Sequence, residues 1–178
     1  EQQPFDAVVR LGPSSDRLSR LIRQVLREHL GDVIRVSRPS PRFETPIGRL
    51  IKKYESDLVL EMLRPEQEER ILEAGCGTGV FILYVLAAGA QIVGLELSLP
   101  MLMRAGRKLE EHSFHAVRGD MTNLPFAENQ FDKAVSVTAI EFIEDGKTAI
   151  NELFRVTKPG GCVVVATLNS LSPWAVRR

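Results

Sequence analysis

The sequence predicts an α/β fold, a three-layer α/β/α sandwich around a mostly parallel sheet. Three observations carry that prediction. From residue 70 onward, short apolar runs alternate with stretches of helical period, the pattern of successive βαβ units. The runs ILEA (71–74), IVGL (92–95), AVSV (134–137) and CVVVA (162–166) are nearly continuous in apolar residues. Strands buried on both faces read that way, whereas half-buried strands alternate. Finally, a glycine-rich turn, Gly75-Cys76-Gly77-Thr78-Gly79, joins the first run to the stretch that follows it. The 178 residues allow one domain and a small extension. With 44% apolar and 26% charged residues, the chain has enough apolar matter for a core and no signature of long-range disorder.

The elements follow in order. Residues 5–11 (FDAVVRL) read as a short strand, and Gly12-Pro13-Ser14-Ser15 as a turn able to cap a helix. Leu18, Leu21, Ile22, Val25, Leu26 and Leu30 recur at helical spacing, and Gly31 stops the run. Residues 32–37 (DVIRVS) read as a second strand. Arg17, Arg20 and Arg27 line the opposite face of that helix, as either a solvated face or a surface for an anionic partner. Residues 38–46 hold three prolines and mark a linker. A helix then runs to about Met62 on a stripe of Ile47, Leu50, Ile51, Tyr54, Leu58 and Met62, and Arg64-Pro65 ends it. Beyond it the alternation predicts strands at 70–74, 91–95, 114–117, 131–137 and 162–167. Helices are predicted at 79–88, 99–110 and 145–156.

Charge divides the chain near residue 42. The 23 basic and 23 acidic residues cancel overall, but residues 1–42 carry eight Arg, no Lys and five acids, a net of +3. The expected organisation is an Arg-rich strand–helix–strand extension over 1–42 and a core over 43–178. A balanced net charge is not the profile of a dedicated nucleic-acid binder. No apolar run nears the ~20 residues needed to span a bilayer, and no segment reads as a leader, although the chain opens on Glu1, as a processed or partial form does. Cys76 and Cys162 stand far apart in apolar surroundings, which fits a reducing compartment, and three His without ligand spacing suggest no metal site. These features together point to a soluble, cytoplasmic protein.

The glycine turn is the sharpest chemical signal. Glycines at alternate positions admit positive φ and let a ligand approach the backbone closely. At the carboxyl end of a strand, opening a helix, such a turn sits where α/β sheets bind small molecules. A dinucleotide fingerprint would need a third glycine at position 80, which is Val80, and no Lys-Ser or Lys-Thr follows to make a P-loop. Glu73 just before the turn suits a ligand bearing positive charge and is a poor match for pyrophosphate. About twenty residues on, Glu96 ends the next strand, where an acid can accept two hydrogen bonds from ribose hydroxyls. Arg118-Gly119-Asp120-Met121 closes the third strand, offering a carboxylate for an exocyclic amine and a Met side chain for a purine face.

With those residues in view, the sequence resembles the class I S-adenosylmethionine-dependent methyltransferases, in particular the small-molecule branch with the E-x-G-C-G-T-G loop. The resemblance spans about residues 43–174 and rests on four motifs in order: ILEAGCGTG (71–79), IVGLELSLPML (92–102), GDMTNLPFAENQFD (119–132) and LFRVTKPGG (153–161). It implies a Rossmann-like sheet and S-adenosylmethionine as the cofactor. It further implies that Glu73, with the backbone of Gly75, Cys76, Gly77 and Gly79, holds the methionine moiety, Glu73 near the ammonium. Glu96 would bind the ribose, with Leu97 and Met101 beside the adenosine. Asp120 would face the adenine amine and Met121 the ring, and Thr138 would lie near the sulfonium. Phe43–Gly48 resembles a segment that closes over the cofactor in some members.

The reaction so implied is methyl transfer to a small-molecule acceptor by in-line displacement, which needs a general base only if the acceptor arrives protonated. Many relatives carry His where this chain has Glu141. Glu141 is accordingly a candidate base or a site for a cationic acceptor, against a supporting role. His112 and His115 read as surface or packing residues, Cys76 as the small residue of the loop, and Trp174 as a cover for the acceptor site or a cap on the core. The family sheet has seven strands, and the last two are missing from their usual place here. The edge left bare could reflect truncation, completion by a partner subunit in a homodimer, or cover by the N-terminal unit. Two other functions compete: a cofactor-binding protein of the same fold without methyl transfer, and a nicotinamide-dependent oxidoreductase, against which Val80 weighs.

Overall fold

A computed structural model describes residues 7–11 and 46–167 of the chain. The helix read at Leu18–Leu30, the strand at 32–37, residues 43–45 of the closing segment and Trp174 all lie outside the described residues. The elements are β1 (Ala7–Leu11), α1 (Pro46–Leu63), β2 (Arg70–Ala74), α2 (Ile82–Leu86), β3 (Gln91–Glu96), α3 (Leu99–Lys108), β4 (Phe114–Arg118), β5 (Phe131–Val137), a 3₁₀ turn (Ile140–Phe142), α4 (Gly146–Val156) and β6 (Thr157–Thr167). The sheet order is β1-β6-β5-β2-β3-β4. β2 to β6 are mutually parallel, and β1 runs antiparallel along β6, from Ala7 opposite Thr167 to Leu11 opposite Val163. The edge of β6 expected to be bare is therefore covered over those five residues by the strand read at the N-terminus.

Alternation along each strand sorts the core onto two faces. Leu72, Ala74, Ala134, Val163 and Val165 pack with Leu153 of α4 on one side. Ile71, Val135 and Val164 pack with Val59 and Leu63 of α1, Ile82 of α2 and Leu102 of α3 on the other. Side chains of this kind contribute roughly 1.5–3 kcal/mol each when fully buried. Both faces are covered, so the strands could not tolerate the polar alternation of a half-exposed sheet.

Two boundaries differ from the sequence reading, each for a local reason. α2 starts at Ile82 rather than Gly79, because Gly75, Gly77 and Gly79 hold φ of +78°, +55° and +67° and cannot enter a right-handed helix there. β6 starts at Thr157 rather than Cys162. Lys158-Pro159-Gly160-Gly161, to which no element is assigned from sequence, is absorbed as an irregularity, the pairing jumping from Phe131–Thr157 to Lys133–Cys162. A Cβ on Gly161 would stand 2.3 Å from the Asp132 carbonyl oxygen, so only glycine permits that approach.

One cation lies inside the apolar run of β5. Lys133 is 8% exposed; its Nζ donates to the Arg64 carbonyl and pairs with Glu69 at 2.7 Å. Arg64 adopts φ +45° and ends α1 ahead of Pro65, so the ammonium caps a helix C-terminus at the edge of the sheet remote from the glycine turn. Replacing Lys133 by Met strands that carbonyl and leaves Glu69 with the Glu66 N–H as its remaining donor among the described residues. The expected cost is about 2 kcal/mol, read as a lower urea midpoint at unchanged slope.

Candidate functional site

Because β2 to β5 are parallel, their carboxyl ends share one edge of the sheet, and Glu73, Glu96, Asp120 and Thr138 fall at or just beyond four successive ends. The glycine turn is bolted to the neighbouring strand: the N–H groups of Gly75 and Cys76 both donate to the Leu95 carbonyl, at 2.8 and 3.0 Å. It closes on itself through the Gly79 N–H and the Cys76 carbonyl at 2.9 Å. A Cβ on Gly75 would lie 2.3 Å from Cβ of Ala139, so the turn after β5 presses directly on the glycine turn. Two methionines approach the same turn. Met121 Sδ is 4.0 Å from where a Gly75 Cβ would be, and Met101 Cε 3.3 Å from where a Gly77 Cβ would be.

Thr138, also at this edge, has φ +50°. A β-branched residue is an outlier in the left-handed region, and such strain collects at ligand sites when the surroundings impose it. Here the Thr138 N–H donates to the Ala166 carbonyl at 2.7 Å and locks the bend.

The carboxylates have distinct surroundings. Glu96 accepts from the Gly77 N–H through Oε2 at 3.0 Å and from the Ser98 N–H through Oε1 at 2.8 Å. It thereby ties the glycine turn to the start of α3, and each oxygen keeps a further lone pair. Asp120 accepts through Oδ1 from both the N–H and the hydroxyl of Thr122, each at 2.8 Å; among the described residues Oδ2 has no protein partner. Arg118 donates from Nε to the Leu97 carbonyl at 3.2 Å, beside a Leu97 side chain that is exposed. Glu73 is the outlier, 2% exposed, its Oε2 without a hydrogen-bond partner among the described residues. Burial pushes its pKa up to about 8, opposed by Lys108, whose Nζ donates to the Gly79 carbonyl at 3.2 Å.

Cys76 is buried, and burial pushes its thiol up, with Glu73 and Glu96 adding to the effect. That suits an inert small residue better than a nucleophile; its Sγ lies 2.9 Å from where a Cβ on Gly94 would stand. His112 and His115 are both exposed. Glu141 sits half-buried on the 3₁₀ turn that follows β5, with exposed Phe142 next to it.

The sequence reading did not single out Ala139, Ser98 or the Glu152–Arg155 pair. Arg155 Nε and Nη2 grip the two oxygens of Glu152 at 2.6 and 2.7 Å, while Nη1 and Nη2 donate to the carbonyls of Phe126 and Leu124. Glu152 accepts in turn from the Leu124 N–H at 2.8 Å. The pair clasps to α4 the loop that carries Asp120 and Met121. Its i, i+3 spacing was a visible signal, but only the fold shows what it holds. In Arg155→Ala, amide exchange at Leu124 and Phe126 is expected to accelerate, and stability to fall by about 2 kcal/mol in urea unfolding.

Residues 72–165 match the family described as Methyltransferase domain. Among curated proteins, the chain is 38% identical over 120 residues to a malonyl-[acyl-carrier protein] O-methyltransferase of Pseudescherichia vulneris, covering 67% of this chain and 47% of that protein. It is 37% identical over 109 residues to a demethylmenaquinone methyltransferase of Renibacterium salmoninarum, covering 61% and 45%. The chain thus spans about half the length of the curated relatives it matches. Among solved structures, a SAM-dependent methyltransferase from Thermotoga maritima aligns at TM-score 0.61 and 26% identity, covering 90% of this chain and 64% of that one. The [4+2]-cyclase SpnF aligns at TM-score 0.63 and 25% identity, covering 86% and 60%.

Proposed function

Because this chain belongs to the methyltransferase-domain family, we propose that it binds S-adenosylmethionine at the carboxyl edge of its sheet and transfers the methyl group to a small-molecule acceptor. The observation that carries this reading is the set of three carboxylates, Glu73, Glu96 and Asp120, on successive strand ends around a turn of left-handed glycines. The residues fit the cofactor's chemistry. A buried carboxyl with an orphaned oxygen suits a cationic group, and glycines at +78°, +55° and +67° leave the backbone open to close approach. Asp120 keeps one oxygen for an amine donor. Glu96 would take the ribose hydroxyls on its remaining lone pairs, Asp120 the adenine amine, and Leu97, Met101 and Met121 the apolar surfaces.

When bound, the sulfonium supplies an activated methyl group and a neutral thioether as leaving group. The chain's own residues orient and exclude water; positioning of this kind is worth ~7–11 kcal/mol in well-aligned reactions. Thr138 and Ala139 brace the turn from the β5 side, and Glu141, half-buried on the 3₁₀ turn, would act as a base or attract a cationic acceptor. Two relatives, named for malonyl-[acyl-carrier protein] and for demethylmenaquinone, favour an acceptor whose methylated part is a small acyl or quinone group. No helix among the described residues is long and apolar enough to cross a membrane. Cys76 and Cys162, both buried and neither in a disulfide, support a reducing, cytoplasmic setting. A homodimer through the β6 edge would have to pair along β1 instead.

Calorimetric titration with S-adenosylmethionine and S-adenosylhomocysteine tests this directly, and a folded chain that binds neither overturns it. Glu96→Ala is expected to weaken binding by about 1–3 kcal/mol, since it removes charged acceptors from both ligand and turn; unchanged affinity would take Glu96 out of the site. A second reading, cofactor binding without methyl transfer, is favoured by the likeness to a protein named as a [4+2]-cyclase. Affinity for S-adenosylhomocysteine combined with no methylated product across a broad acceptor panel would select it.

A further inference from the structure

Glu73 has a property that cofactor binding alone does not require. It stands on β2 with Gly94 of β3 and Val135 of β5 opposite it, neither of which carries charge. Strand alternation directs it to the face filled by Val59 of α1, Ile82 and Val85 of α2 and Leu102 of α3, all apolar. Among the described residues, the turn above brings the Cys76 thiol and α3 the Lys108 ammonium, which donates to the Gly79 carbonyl. The nearby acid, Glu96, is committed to the N–H groups of Gly77 and Ser98. A carboxylate so buried, with an oxygen that finds no donor among the described residues, carries a desolvation cost that a bound proton removes.

We propose that Glu73 couples ligand binding to proton release: its carboxyl holds a proton in the ligand-free protein and gives it up to solvent when a cationic ligand is seated beside the glycine turn. This rests on the cofactor reading above. The balance is one proton out per cation bound, from Glu73–COOH to Glu73–COO⁻ paired with the incoming positive charge. Burial holding the group protonated up to about pH 8 agrees with the geometry. A site of this kind selects for a cationic group beside the turn, because a ligand without one leaves the proton in place and obtains no ion pair.

The test is titration of the whole chain with S-adenosylhomocysteine at pH 7 in buffers of different ionisation enthalpy. Wild-type binding is expected to release close to one proton, and Kd to fall about tenfold per pH unit between pH 6 and 7.5. Glu73→Gln is expected to bind more weakly, with no proton release and a flat Kd over that range. Infrared difference spectroscopy of the wild type provides a readout independent of the variant: the protonated-carboxyl band should disappear on adding S-adenosylhomocysteine. Binding without proton release, or equal release in Glu73→Gln, overturns this inference and leaves the cofactor reading standing. No binding at all by the folded chain overturns both.

Discussion

Gly75→Ala is expected to lower stability by about 4 kcal/mol and to abolish S-adenosylhomocysteine binding, read by urea unfolding and calorimetry. Two costs add. The residue has φ +78°, a region costing an L side chain roughly 1–2 kcal/mol, and the new methyl would meet Ala139 Cβ at 2.3 Å, an overlap of the kind that costs ~1–3 kcal/mol in packed interiors. The two are separable. Ala139→Gly in the Gly75→Ala background removes the overlap and should restore about half of the loss, the backbone strain remaining. A double variant no more stable than the single one would show that the contact between the two turns is not the cause.

Stability of the wild-type chain is expected to fall as pH rises from about 4.5 to about 8, through the burial of Glu73. Below that window the carboxyl is protonated in folded and unfolded chains alike and its burial carries no charge penalty. Within it the unfolded chain loses the proton and the folded chain keeps it, so ΔG of unfolding declines by up to ~1.4 kcal/mol per pH unit, on the order of 5 kcal/mol in full; above it the decline stops. Glu73→Gln should flatten this profile and be relatively more stable at pH 9 than at pH 5. The opposite dependence, from Glu152 held low by the Arg155 guanidinium, is lost only as pH falls through that lowered value and does not mask the window. Equal slopes in wild type and variant would place the buried proton elsewhere.

Much of the fold was legible because parallel strands and their helices leave one-dimensional marks. β2 and β5 occupy the residues their apolar runs indicated, and α4 begins where Asp145 could cap it, its side chain accepting from the Thr148 N–H at 3.0 Å. Where the reading slipped, the signal was ambiguous in kind. Gly79 looks the same in a loop as at a helix start, and Pro159-Gly160-Gly161 gives no strand signal unless the partner strand is known to absorb a bulge.

The sequence alone carries the α/β class, the glycine turn and the acids at strand ends, since these follow from residue type and spacing along one chain. It also contained the strand at the N-terminus, but not its place. The folded arrangement lays β1 on the free edge of β6, sets Ala139 against any side chain at Gly75, and has Arg155 hold the loop of Asp120. It also leaves one oxygen of Glu73 without a partner among the described residues. Each of these is a contact, or a missing contact, between segments far apart in the chain, and spacing along one chain records nothing of what will stand opposite a residue once the sheet has formed.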